Sequence, residues 1–144
     1  MKIAITNQGD GSILYENRDK LIADFNGEIF NDIELTKLSR YIKFLSMNNL
    51  AFIKLDVEGG EGNIIKGGKE IISKYHVPFI MMEYDQRLLE GHGTKVLEFL
   101  QFIENNGYKI SLIDFFSKQY MSSFEFIKIR KNINLFIVYK SFIE

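Results

Sequence analysis

The sequence predicts an α/β fold with a mostly parallel sheet, and three observations predict it. Leu50 to Leu55 is an apolar run interrupted by Lys54, with the composition of a buried strand. It ends in an acidic, glycine-rich turn, Asp56 to Gly62, after which Ile64, Ile65, Gly68, Ile71, Ile72 and Tyr75 share one helical face. A second unit repeats the alternation: the apolar run Val77 to Tyr84, then the helical stripe Val96, Leu97, Leu100 and Ile103. Finally, Tyr108 to Ile113 and Asn134 to Tyr139 read as strands with no clear helix between them, which predicts an antiparallel return at the C-terminus.

Taken in order, residues 2–16 read as two strands. Ile3 and Ile5 alternate with smaller neighbours, Asn7 to Gly11 supplies turn residues, and Ile13 to Tyr15 resumes the apolar pattern. Residues 17–27 read as a polar loop, and Glu28 to Phe30 as a short strand. Asn31 and Glu34 have capping-box spacing ahead of Leu35, Leu38, Ile42 and Leu45, which predicts a helix closed at Asn48-Asn49. The one proline, Pro78, opens a strand, where its missing N–H is tolerated. Asp85 to Gly93 reads as a polar loop carrying His92, and Gly107 stops the helix before the last pair of strands. Phe115 to Lys131 gives no clear pattern. The whole reads as a Rossmann-like α/β domain, residues 1–144 forming one unit without repeats or linkers.

Composition narrows the function classes. The 144 residues carry a formal charge of −1, which argues against nucleic acid as a partner. Five basic residues (Lys118, Lys128, Arg130, Lys131, Lys140) stand against one acid between Phe115 and Ile143, which reads as a solvated face. With no cysteine, disulfide and thiolate chemistry are excluded. No run approaches the ~20 apolar residues of a membrane span, and Met1 to Ile5 does not resemble a signal segment. The expected setting is cytoplasmic, with no membrane partner.

The acidic turn is the candidate site. Asp56 and Glu58 are two residues apart and project together where a strand leaves its sheet, and Glu61 follows in the first helical turn. Such carboxylates can ligate a divalent metal through oxygen, act as a general base once crowding raises a pKa, or complement a helix N-terminus. A phosphate loop is excluded: Gly62 and Gly68 enclose five residues rather than four, and Glu70 stands where Ser or Thr would be needed.

The string from Ile53 to Ile72 resembles the signature of FkbM-type methyltransferases. Lys54, Asp56, Glu58, Gly59, Glu61, Ile65, Lys66 and Gly67 fall in place, with Gly68 where alanine is more usual. Flanking matches are Ala4 to Asn7 with Gly11, the strand ending at Glu83, the Gly107-Tyr108 pair and the strand Leu135 to Val138. The resemblance implies a class I methyltransferase sheet using S-adenosylmethionine to methylate a hydroxyl on a saccharide or polyketide-like small molecule. It implies Asp56 and Glu58 as base or substrate-orienting groups, then Glu61, with His92 as a further candidate from the next loop. Asn7 and Asp56 are the implied cofactor contacts, Asn7 replacing the usual aspartate. No metal is expected. The glycine-rich first strand end and the acidic second one have no counterpart ahead of Ile3, so the chain reads as an N-terminally truncated domain. It is therefore expected to bind cofactor weakly by itself, with a homodimer or a completing chain at the exposed sheet edge. The alternatives are a non-catalytic module of the same fold and, third, a metal-dependent hydrolase built on the same acids.

Overall fold

The computed structural model describes residues 50–143 throughout, together with the backbone of three strands at residues 12–17, 20–25 and 28–30. Those three, β1 (Ser12–Asn17), β2 (Lys20–Phe25) and β3 (Glu28–Phe30), form an antiparallel meander in the order β1-β2-β3. Ile13 pairs with Ala23 and Ala23 with Phe30. The expected strands around Ile13–Tyr15 and Glu28–Phe30 are present. The loop expected over residues 17–27 is corrected, because Lys20–Phe25 is a strand. Leu21, Ile22 and Phe25 are apolar enough for one, and the ladder to both neighbours satisfies their backbone groups. The strand expected around Ile3 and Ile5, the residue Asn7 and the helix expected from Asn31 to Leu45 lie outside the described residues.

The second sheet has four strands: β4 (Phe52–Leu55), β5 (Phe79–Tyr84), β6 (Tyr108–Ser111) and β7 (Ile133–Tyr139), in the order β4-β5-β7-β6. β4 and β5 are parallel, and β7 runs antiparallel between β5 and β6. The C-terminal strand is therefore the antiparallel return expected, placed inside the sheet.

Helices α1 (Glu61–Gly67) and α2 (Lys69–Ser73) follow β4, where the sequence predicts one continuous helix. The break falls at Gly68, whose N–H closes on the carbonyls of Ile64 and Ile65 while its own carbonyl starts the next turn by accepting from Ile71. Helix α3 (Gln86–Gly91) stands where a loop is expected. Asp85 is its N-cap, its side chain accepting from the backbone of Arg87 and Leu88, and Leu89 is fully buried. Helix α4 (Val96–Asn105) matches the predicted stripe, and Gly107 follows it with φ of 86°. Within the illegible stretch, α5 (Ser123–Phe126) is one turn whose Glu125 accepts from the backbone N–H and hydroxyl of Ser122.

The registers sort the sheet into two faces. One carries Ile53, Leu55, Ile80, Met82, Tyr84, Leu135, Ile137 and Ile110. These pack into one core with helical residues Ile65, Ile71, Ile72, Leu89, Leu100, Ile103 and Phe126. Two buried tyrosines tie the edges of this core: Tyr84 donates to the Phe126 carbonyl and Tyr108 to that of Val77. Burial pushes the Tyr84 hydroxyl up to about 12. The opposite face carries Phe52, Lys54, Phe79, Met81, Glu83, Phe136 and Lys109.

Candidate functional site

The site forms where β4 and β5 end together. Leu55 is level with Met82, so the next residue, Asp56, comes level with Glu83 on the same sheet face. The chain then turns sharply through Val57–Gly60, the Gly60 N–H donating to the Val57 carbonyl at 3.1 Å. Both central residues have positive φ, 51° at Glu58 and 96° at Gly59. This pattern of two left-handed residues makes the tightest reversal. At Gly59 glycine is required twice over. A Cβ there would lie 2.7 Å from the Leu88 backbone, so the turn seats directly on α3.

Asp56, Glu58 and Glu83 each offer a carboxylate oxygen within 4.8 Å of one another. Lys54 stands beside them, its Nζ 2.9 Å from Asp56 Oδ2, and that hydrogen bond raises the Lys54 pKa. Glu83 accepts from Asn132 Nδ2 through Oε1, while its Oε2 is buried with no hydrogen-bond partner among the described residues. Among the described residues, these three carboxylates and the Lys54 ammonium meet at the rim of the sheet.

Glu61 has a different place. It is 1 % exposed, and its Oε1 accepts from the Val57 N–H at 3.0 Å. Burial raises its pKa, and the backbone donors around the turn oppose that rise. It braces the turn from inside and is not one of the three clustered acids. His92 caps the end of α3, and its carbonyl accepts from Asn63 Nδ2, beside α1. It too lies outside the cluster. A cavity of about 450 Å³ opens between α1, α2 and α4, lined by Lys66, Lys69, Lys95 and Phe99 among others, and none of the three acids lines it.

Comparison with known families decides what this geometry belongs to. The family model of the methyltransferase FkbM domain matches residues 16–110, which contain all three clustered acids and both parallel strands. The chain belongs to the FkbM methyltransferase-domain family. No curated protein and no solved structure matches it.

Within this FkbM-type domain the sequence reading missed Glu83 as a site residue, although Glu83 matches the family's strand end. The signal was available in register: a residue ending the neighbouring parallel strand must stand beside Asp56. Asn132 carried no comparable signal, since it reaches Glu83 from the start of the antiparallel return 49 residues later. Among the described residues, no helix is long and apolar enough to cross a membrane.

Proposed function

We propose that the chain works as an S-adenosylmethionine-dependent O-methyltransferase unit, with its clustered acids receiving the hydroxyl of a saccharide or polyketide-like small molecule. The convergence of Asp56, Glu58 and Glu83 at the carboxyl ends of two parallel strands carries this reading, because α/β sheets present functional groups at that edge. The strand order β4-β5-β7-β6, with β7 reversed, supports the finer fold reading of a Rossmann-like class I methyltransferase sheet.

The donor set fits the cofactor's chemistry. The carboxylates of Asp56, Glu58 and Glu83 are strong acceptors for sugar hydroxyls. The cofactor, when bound, supplies an electrophilic methyl group on a sulfonium. The chain's own part is to hold the acceptor and manage its proton. A hydroxyl is a poor nucleophile at neutral pH, so alignment and proton removal both lower the barrier. Asp56 and Glu58 orient the hydroxyl and take the proton. Glu83, fixed by Asn132, holds a neighbouring hydroxyl. Lys54 donates a hydrogen bond to Asp56 at 2.9 Å and so fixes the orientation of that carboxylate.

The test is transfer of a labelled methyl group to a panel of hydroxylated saccharides and small polyketide-like alcohols. Replacing Asp56→Asn or Glu58→Gln is expected to slow transfer roughly a hundredfold or more, with thermal unfolding nearly unchanged because both side chains are exposed. Absence of transfer by the intact, folded chain at saturating cofactor would favour the non-catalytic module instead.

A further inference from the structure

Val57 stands between the two exposed acids of the turn, Asp56 and Glu58, and both polar groups of its backbone are taken. Its N–H donates to Glu61 Oε1 at 3.0 Å, and its carbonyl accepts from the Gly60 N–H at 3.1 Å. The N–H belongs to the peptide plane that joins Val57 to Asp56, and the carbonyl to the plane that joins it to Glu58. Holding both planes leaves the side chains of Asp56 and Glu58 little freedom in where they leave the backbone. It also keeps Glu58 at its φ of 51°.

One of these two bonds comes from a side chain, and that side chain is itself held. Glu61 is 1 % exposed and opens α1, whose first turn is pressed on the loop after α3. A Cβ at Gly62 would collide with the Thr94 side chain, and Asn63 Nδ2 donates to the His92 carbonyl at 3.1 Å. On the other side of the turn, Gly59 seats on the Leu88 backbone. The Glu61 carboxylate is therefore a fixed post to which the turn is tied. Burial raises its pKa, and the backbone donors of Val57, Glu61 and Gly59 work against that rise. A buried carboxylate is a costly brace where an apolar side chain would fill the same space. In return, a charged acceptor binds an N–H about twice as strongly as a neutral one.

We infer that Glu61 is a positioning residue for methyl transfer: by holding the Val57 N–H it sets where Asp56 and Glu58 stand at the sheet edge, without touching the acceptor itself. The placement of reacting groups counts steeply, a shift of ~1 Å costing about a hundredfold in rate. A brace that served stability alone would act on the rate only through the amount of folded protein. The inference rests on the methyl-transfer reading for its kinetic consequence, whereas the hold of Glu61 on the turn can be read without any turnover.

Three variants of the intact chain test it. Glu61→Gln keeps the length of the side chain and a weaker, uncharged acceptor, while Glu61→Asp keeps the charge but is one methylene short of Val57. Ile103→Val, in the core on α4, reports lost stability alone. Amide exchange at Val57 and Gly60, read against the amides of β5, is measured beside steady-state methyl transfer, with thermal unfolding recorded for each protein. Glu61→Asp is expected to quicken exchange at Val57 roughly tenfold and to lower kcat roughly tenfold or more, with the acceptor's KM within about twofold of wild type. Glu61→Gln falls between it and wild type in both readouts, and Ile103→Val unfolds earlier without altering either. Unchanged Val57 exchange in Glu61→Asp overturns the inference, as it does in Glu61→Gln should the shorter variant not fold. A kcat lost in Glu61→Gln but kept in Glu61→Asp also overturns it, by making the carboxylate itself the reacting group. So does an equal fall of kcat in Ile103→Val, which makes stability the cause. A wild type that transfers no methyl group at saturating cofactor defeats the methyl-transfer reading, and the exchange comparison then decides the hold of Glu61 on the turn.

Discussion

Glu58 is the residue where function and stability pull apart. Its φ of 51° is a left-handed conformation that costs a side-chain-bearing residue about 1–2 kcal/mol. Strain retained at a cluster of acids points to a role for the side chain rather than for the backbone. Glu58→Gly is therefore expected to stabilise the fold by about 1 kcal/mol in denaturant unfolding while abolishing methyl transfer. Destabilisation by Glu58→Gly would show that the side chain braces the turn. The same cluster bears on metals. Three oxygen donors within 4.8 Å suit magnesium or calcium better than zinc, but Lys54 already places its ammonium on Asp56 at 2.9 Å. An entering cation must displace that ammonium. Calorimetric titration with magnesium, calcium and manganese is expected to show no saturable micromolar binding. Binding lost in Asp56→Asn would instead make these acids ligands.

At the scale of elements, β7 decides the integrity of the sheet. It is hydrogen-bonded to β5 through six residue pairs and to β6 through four, and Leu135, Ile137 and Val138 are completely buried. Amide exchange is expected to be slow from Leu135 to Val138, close to the limit set by global unfolding. Fast exchange across these four would contradict the strand order. Helices show how much local chemistry told in advance. The stripe of α4 and its stop at Gly107 were readable because period and terminator agree. Helix α3 was not read, though Asp85 is a standard capping residue, because six residues are too few to establish a period. The division at Gly68 escaped for a related reason. The apolar residues on both sides keep helical spacing across the break, so the pattern hides it.

For the whole molecule, two acids set opposite slopes of stability with pH. Asp85 is held below its ordinary range by its hydrogen bond to Arg87 and by the backbone donors of α3. Its contribution is present above the unfolded-chain pKa and is lost as pH falls through the lower, folded value. Glu61 is raised from 4.5 by burial, so the folded state holds its proton longer than the unfolded chain does. Stability therefore falls as pH rises from about that ordinary value through the raised one. Urea unfolding as a function of pH should show a maximum on the mildly acidic side. Glu61→Gln keeps an acceptor for Val57 and should flatten the decline above the maximum. An unchanged decline would place its origin elsewhere.

The amino-acid sequence by itself determined the strand–turn–helix around Asp56, the apolar strands β5 and β7, the reversal at the C-terminus and the family. Those features are local: periodicity, punctuation by glycine and a short motif are written within some twenty neighbouring residues. Only the tertiary structure decided that Glu83 joins Asp56 and Glu58, that Asn132 holds it and that Glu61 turns inward. It also gathered Phe52, Phe79, Phe115, Phe116, Phe136 and Phe142 onto one face. Each of these depends on which strands pair and in what register. A shift of one residue would send the strand residues Phe52, Phe79, Glu83 and Phe136 to the other face, and nothing within a single strand's sequence specifies its partner.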